Sequence, residues 1–410
     1  MSSRHIQKAA VDCLLSVESG TNLRQALLCG KHLENSEQAA FWDIAYGVQR
    51  FSGSLKAVLA LLLNKPVPDK TIDALLRVAL YQLAFTQTPS YAVVNECVAL
   101  SAKVQHGKYK NLVNALLRRF LREKDALLET VKNNSNLPKW FEKRLYHDYP
   151  DDARRIIDTF LQHPPLTLRL NRRKTNRSIY AEILQKNNIA HTFLSDIAVK
   201  LQNPVKVSSI PHFLDGFVSV QDFGAMRAAE ILQPKNGERI LDACSAPGGK
   251  TAHILEIADC DVTALDIDDN RLKKVEENLH RLGFQAALKA VNAADIKAWY
   301  NGKPFDAILA DVPCTATGTI RRNPDIKWLR RVDDAAKTAE QQVVLLDNLW
   351  GCLKKNGRML FATCSIFREE NQAQKDAFLQ RHKDAKCVLE QQLLPSDTHD
   401  GFYYALFAKS

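Results

Sequence analysis

Apolar residues return at helical spacing through the first third of this chain. Residues 6–17, 39–51, 55–63 and 72–85 each place an apolar stripe along one side of a helix. Ser36-Glu37-Gln38 and Pro68-Asp69-Lys70 have the polar residue and early carboxylate of helix starts. Residues 90–100 form another amphipathic stretch, and a basic run with Lys103, Lys108, Lys110, Arg118, Arg119 and Arg122 follows it. The pattern over 1–131 predicts an all-α bundle.

After that the period changes. Pro138-Lys139-Trp140 opens a short helix, Leu166-Thr167-Leu168-Arg169-Leu170 alternates as a strand does, and a helix (179–185) and a strand (199–201) follow. Residues 132–217 therefore predict a small α+β module. From 218 to 410, strands at 239–243, 262–265, 286–291, 305–310 and 358–362 are separated by helices at 251–258, 270–282 and 335–353. That rhythm predicts an α/β domain with a parallel, doubly wound sheet, and 387–390 with 402–407 predict an antiparallel edge hairpin. Three domains suit 410 residues, more than one ordinary core holds.

Composition narrows the setting. A hydrophobic share of 46% and a charged share of 25% are those of a soluble globular protein. The net charge of +10 points to a polyanionic partner, nucleic acid first. Nine cysteines are spread along the chain, with no apolar leader and no apolar run of about 18 residues. Reduced thiols, a cytoplasmic location and no membrane association are expected. Without a Cys-x-x-Cys or paired-histidine spacing, no metal is expected.

The chemistry gathers at strand ends. The first strand of the α/β domain runs into Asp242-Ala243-Cys244-Ser245-Ala246-Pro247-Gly248-Gly249-Lys250, a glycine-rich turn that lets backbone approach a ligand. The second ends in Asp266, placed to accept from ribose hydroxyls. G-x-G-x-x-G is absent, so S-adenosylmethionine fits better than a pyrophosphate-bearing cofactor. Two later strands lead into Asp311-Val312-Pro313-Cys314 and Thr363-Cys364-Ser365, bringing two thiols to one sheet edge. A thiolate adding to C6 of a pyrimidine makes C5 nucleophilic enough to take a methyl group. Asp311 can address N3 and the exocyclic amine, and the second thiol can help release the product. Spacing leaves open which thiol attacks. Cys13, Cys29, Cys97, Cys260, Cys352 and Cys387 read as packing residues, and Cys244 as one that packs rather than reacts. After Cys314, residues 315–331 interleave Arg321, Arg322, Lys327 and Arg330 with Trp328, which suits a loop that tracks phosphates.

These motifs resemble the RNA cytosine-5 methyltransferases, the Sun/Fmu/NOL–NSUN group, over about residues 160–410. Thr317-Gly318-Thr319-Ile320-Arg321-Arg322-Asn323-Pro324-Asp325-Ile326-Lys327-Trp328 is similar to the long loop of the bacterial RsmB branch, which acts on small-subunit rRNA. Val94-Asn95-Glu96 and residues 112–119 look like its NusB-type RNA-binding domain. The resemblance implies a NusB-like bundle, an RNA-binding α+β linker module and a Rossmann-like S-adenosyl-L-methionine-dependent domain. It implies Cys364 as nucleophile, Cys314 as the residue assisting release, and cofactor contacts at Cys244, Ser245, Ala246, Pro247, Gly248, Gly249, Lys250, Asp266 and Asp311. Asn292 stands where the group usually has an acid after the third strand, and Asp295 is a substitute. RNA contacts are expected at Arg118, Arg119, Arg321, Arg322, Lys327 and Arg330, with 16S rRNA or an assembling small subunit as partner and a monomer as the working state. A tRNA substrate, a non-catalytic RNA-binding assembly protein and a Rossmann dehydrogenase remain alternatives.

Overall fold

A computed structural model describes residues 4–410. They form two compact units: residues up to 162 together with Ile320–Val332, and His163–Thr319 together with Asp333–Ser410.

The first unit is helical. Asp69 caps the helix Lys70–Phe85 by accepting from the amides of Thr71 and Ile72. This helix is apolar around most of its circumference and lies in the centre, packed by Arg4–Glu18, Asn35–Arg50, Ser52–Leu62, Ser90–Ser101 and Lys110–Val131. Its one buried cation, Arg77, is answered by Glu18 at 2.8 Å and Asp73 at 2.7 Å. The helices Lys139–Asp148 and Ala153–Phe160, at the start of the stretch read as α+β, also fall within this unit.

The segment Ile320–Val332 departs from the sequence reading. It belongs to the interior of the first unit, where Lys327 and Arg321 are fully buried. The Lys327 ammonium donates to the Arg50 carbonyl at 2.7 Å, and the Trp328 indole N–H donates to the Gln49 carbonyl at 3.0 Å. Asp325 accepts from the Leu23 amide at 2.9 Å, and Arg50 donates to the Arg321 carbonyl at 3.1 Å. Exposed RNA contacts expected at Arg321 and Lys327 are thus corrected to buried fastenings. Arg322 and Arg330 are half-buried. For Lys327 and Trp328 the physical reason is that the last carbonyls of the helix Asn35–Arg50 need donors, and these side chains supply them.

The second unit holds two sheets. Strands β1 (Leu166–Leu170), β2 (His191–Phe193), β3 (Ala198–Leu201) and β4 (Val218–Val220) form an antiparallel sheet in the order β2-β3-β1-β4. Alternation in β1 put Thr167 and Arg169 on a polar face. Both are buried, and Arg169 pairs with Glu256 at 2.7 Å and donates to the Gly249 carbonyl at 2.8 Å. That carbonyl lies in the glycine-rich turn, so the small module helps hold it.

The larger sheet contains β5 (Arg239–Asp242), β6 (Asp261–Asp266), β7 (Ala287–Ala290), β8 (Phe305–Asp311), β9 (Leu353–Thr363), β10 (Ala385–Leu393) and β11 (Phe402–Lys409). Its order is β10-β11-β9-β8-β5-β6-β7, with β5 to β9 parallel and β11 antiparallel to both neighbours. Apolar clusters cover it on both sides, one with Phe305, Trp350 and Phe378, the other with Leu232, Ile254 and Leu279. Burial on both faces explains why these strands read as continuous apolar runs.

Candidate active site

Register brings the two thiols together. In the parallel pair β8 and β9, Asp311 lies opposite Ala362, and the Val312 amide continues the ladder to the Ala362 carbonyl at 3.1 Å. Cys314 and Cys364 therefore leave the sheet side by side, and their sulfurs are 3.5 Å apart. The contact with Cys364 and burial together hold the Cys314 thiol well above its ordinary pKa, and the nearby Glu370 carboxylate adds to the effect.

Asp311, at the end of β8, accepts from the Lys250 ammonium at 2.5 Å. Burial works against that charge on Lys250, but Asp311 outweighs it and raises the pKa. Lys250 is also in electrostatic contact with Cys364.

The turn after β5 forms a cradle. Gly248 has φ +92°, a left-handed conformation that an L side chain adopts at a cost, and an added Cβ would press on Val275 at 3.0 Å. From here the helix Gly249–Ile257 begins. Asp266 holds the turn from the neighbouring strand: it accepts from the Ala246 amide at 3.1 Å and from the Asp268 amide at 3.1 Å. Arg271 donates to the Ala246 carbonyl at 2.9 Å. Two polar atoms are buried here with no protein partner, Asp242 Oδ1 and Ser245 Oγ. Asp242 accepts from the Thr251 hydroxyl at 2.6 Å, yet burial raises its pKa to about 7. Cys244 is half-buried against the apolar cluster, and burial pushes its thiol far up, so it packs in the cradle without thiolate character.

Known proteins are similar to this chain in sequence and fold. Residues 229–408 match the family model described as 16S rRNA methyltransferase RsmB/F, residues 4–122 the NusB family, and residues 137–208 the ferredoxin-like domain of the RsmF/B-like methyltransferases. Ribosomal RNA small subunit methyltransferase B of Proteus mirabilis (strain HI4320) is 41% identical, covering 92% of each chain. The protein of that name from Vibrio vulnificus (strain YJ016) is 40% identical over 99% of each. The chain belongs to the RsmB/F methyltransferase family. A methyltransferase homolog protein from Pyrococcus horikoshii has a solved structure similar to this one, with a TM-score of 0.60 and 27% identity, covering 69% of this chain and 98% of that one. The crystal structure of PH0851 matches in fold with a TM-score of 0.82 at 24% identity, over 100% of this chain and 99% of that one.

Other predicted residues of this RsmB/F member lie elsewhere. Asn292 and Asp295 are exposed after the edge strand β7, and the Asn292 carboxamide accepts from the Ala294 amide at 3.0 Å. Arg118 is exposed, with its guanidinium on Asn114; Arg119 is half-buried and bonded to Glu123 and the Leu62 carbonyl. The sequence reading missed the buried polar group behind the thiols, Thr315, Thr317, Ser365, Glu370 and Asn371. Its one signal was an acid and an amide, Glu370-Asn371, close after an apolar strand. Among the described residues no group of three or more His, Cys, Asp or Glu could hold a metal ion, and no helix is long and apolar enough to cross a membrane.

Proposed function

We propose that this chain transfers a methyl group from S-adenosyl-L-methionine to C5 of a cytidine in 16S rRNA, through a covalent bond between Cys364 and C6 of the base. The observation that carries the reading is the thiol pair at 3.5 Å, with the Lys250–Asp311 ion pair beside it at the carboxyl ends of adjacent strands. The relatives named for small-subunit rRNA methylation support the substrate class.

The cradle suits the cofactor. Asp242 Oδ1 and Ser245 Oγ are buried acceptors awaiting donors, and Asp266 ends β6 where a ribose diol is commonly held. The residues that would hold the cofactor are Cys244 to Lys250, Asp242 and Asp266. When bound, it supplies an electrophilic methyl group.

The chain's own groups do the rest. Cys364, as the thiolate, forms the S–C6 bond, which places an electron pair at C5 of the ring. Asp311 accepts from the exocyclic amine, and the Lys250 charge beside it offsets negative charge that develops on the ring. Once C5 is methylated its proton must go to a base, and the S–C6 bond breaks to return Cys364 as the thiolate. Cys314, near enough to exchange a proton with Cys364, assists that release. The target base leaves its stack to reach the pair, which favours a loop or bulge in the RNA.

Denaturing gels of wild type, Cys364→Ala and Cys314→Ala, each incubated with unmodified small-subunit rRNA and the cofactor, test the reading. The expected result is an RNA–protein adduct that accumulates in Cys314→Ala and is missing from Cys364→Ala, which also loses methyl transfer. The opposite pattern would make Cys314 the nucleophile. Methylation of a tRNA pool but not of rRNA would move the substrate.

A further inference from the structure

Glu370 is fully buried, and its carboxylate reaches both loops that carry the thiols. Its carboxylate accepts from the Thr315 amide at 2.7 Å, from the Ser365 hydroxyl at 2.6 Å and from the Thr315 hydroxyl. Thr315 follows Cys314 in the chain and Ser365 follows Cys364. One acid therefore holds the residue behind each thiol.

The ties around it run the same way. Thr317 shares a hydrogen bond with the Ser365 hydroxyl at 3.0 Å and accepts from the Ile366 amide at 3.1 Å. The Gly318 amide donates to the Cys364 carbonyl at 2.9 Å. Asn371 accepts from the Thr363 hydroxyl at 2.6 Å and donates to the Ser365 carbonyl at 2.8 Å, holding Cys364 from both sides. A pair of thiols has only a weak hydrogen bond of its own. The loops, not the sulfurs, must then set the 3.5 Å separation.

We propose that Glu370 is a positioning residue for the thiol pair, its carboxylate clasping the backbone after Cys314 to the backbone after Cys364. The proposal rests on these two thiols being the reacting groups. A charge held here also acts on Cys314, favouring its protonated form. The ionisable groups about that thiol are Cys364 and Glu370, with Lys250 in contact with Cys364.

Two measurements on Glu370→Gln need no RNA, so they separate this proposal from the reaction itself. In the first, diamide closes a Cys314–Cys364 disulfide, followed by mass spectrometry of the intact chain. Glu370→Gln should close it about tenfold more slowly than wild type or worse, since a misplacement near 1 Å costs up to about 10²-fold. In the second, a Cys364→Ala background isolates Cys314, and its alkylation by iodoacetamide is followed against pH. Replacing the carboxylate by the amide should move the midpoint to lower pH. An unmoved midpoint together with a wild-type disulfide rate, in protein that melts normally, overturns the proposal. If Glu370→Gln does not fold, Ser365→Ala and Thr315→Val each remove one partner of the carboxylate, and slower disulfide closure is expected in both; wild-type closure in both overturns it. Correct thiol behaviour without methylation of any RNA would count against the proposed reaction and leave the clasp standing.

Discussion

Two consecutive stretches, 311–319 and 320–332, both read as ligand-facing, and the structure treats them in opposite ways. In the first, hydroxyls and backbone amides turn toward the β9 loop and Glu370, leaving Cys314 to face Cys364. In the second, Arg321 and Lys327 turn inward and are lost to solvent. A run of cations in a sequence reports charge but not direction. Where a helix ends in the interior, a long cationic side chain can reach its orphaned carbonyls, and its apolar stem fills the space on the way.

The largest expected effect breaks the first stretch. In Gly318→Ala the new Cβ would meet the Cys364 carbonyl oxygen at 2.8 Å and crowd the Gly401 backbone. Backbone cannot yield as a flexible side chain does, so we expect a loss of about 1–3 kcal/mol of stability. Methyl transfer should fall to background, as assayed with tritiated cofactor. A fully active Gly318→Ala would mean that the two loops are not tightly joined.

A smaller effect tests the second stretch. Burial and the Arg50 charge hold the Lys327 pKa well below its usual value. A lysine depressed in the folded state lowers stability below that folded pKa, and the loss is relieved as pH rises toward 10.5, where the unfolded chain also releases its proton. Lys327→Met keeps the stem and removes the charge. It should raise stability at pH 7 by about 1 kcal/mol, with the gain shrinking toward pH 10 in thermal melts. A gain that grows with pH would contradict the burial of a charge there.

The smallest effect sharpens the contrast between inward and outward cations. Arg118→Ala should reduce the slope of log affinity against log salt for rRNA fragments by about 1, while Lys327→Met should leave it unchanged. A slope lowered equally by both would put Lys327 in contact with phosphate.

Much of this was legible in the chain. Helical period marked the helices of the first unit, and apolar runs marked the parallel strands, because both patterns follow from which side of an element is buried. The glycine turn, Asp266 and the two cysteine motifs were found from residue type and order alone. Glu370 was not, since an acid and an amide close after an apolar strand do not by themselves tell an acid that faces two loops from one in water. Arg169 was missed for a related reason: alternation marks a polar face, and here that face meets Glu256 inside the protein.

The sequence by itself determined the elements, the family and the residues able to do the chemistry, because these depend on near neighbours and on side-chain type. Tertiary structure alone decided that Asp311 lies opposite Ala362, so that two thiols fifty residues apart stand at 3.5 Å. It also decided that Lys250 meets Asp311, that Glu370 lies behind both thiols, and that Lys327 faces a carbonyl instead of solvent. Each is a pairing between distant segments, set by strand register and by the need to satisfy buried polar groups, and neither is written in a local pattern.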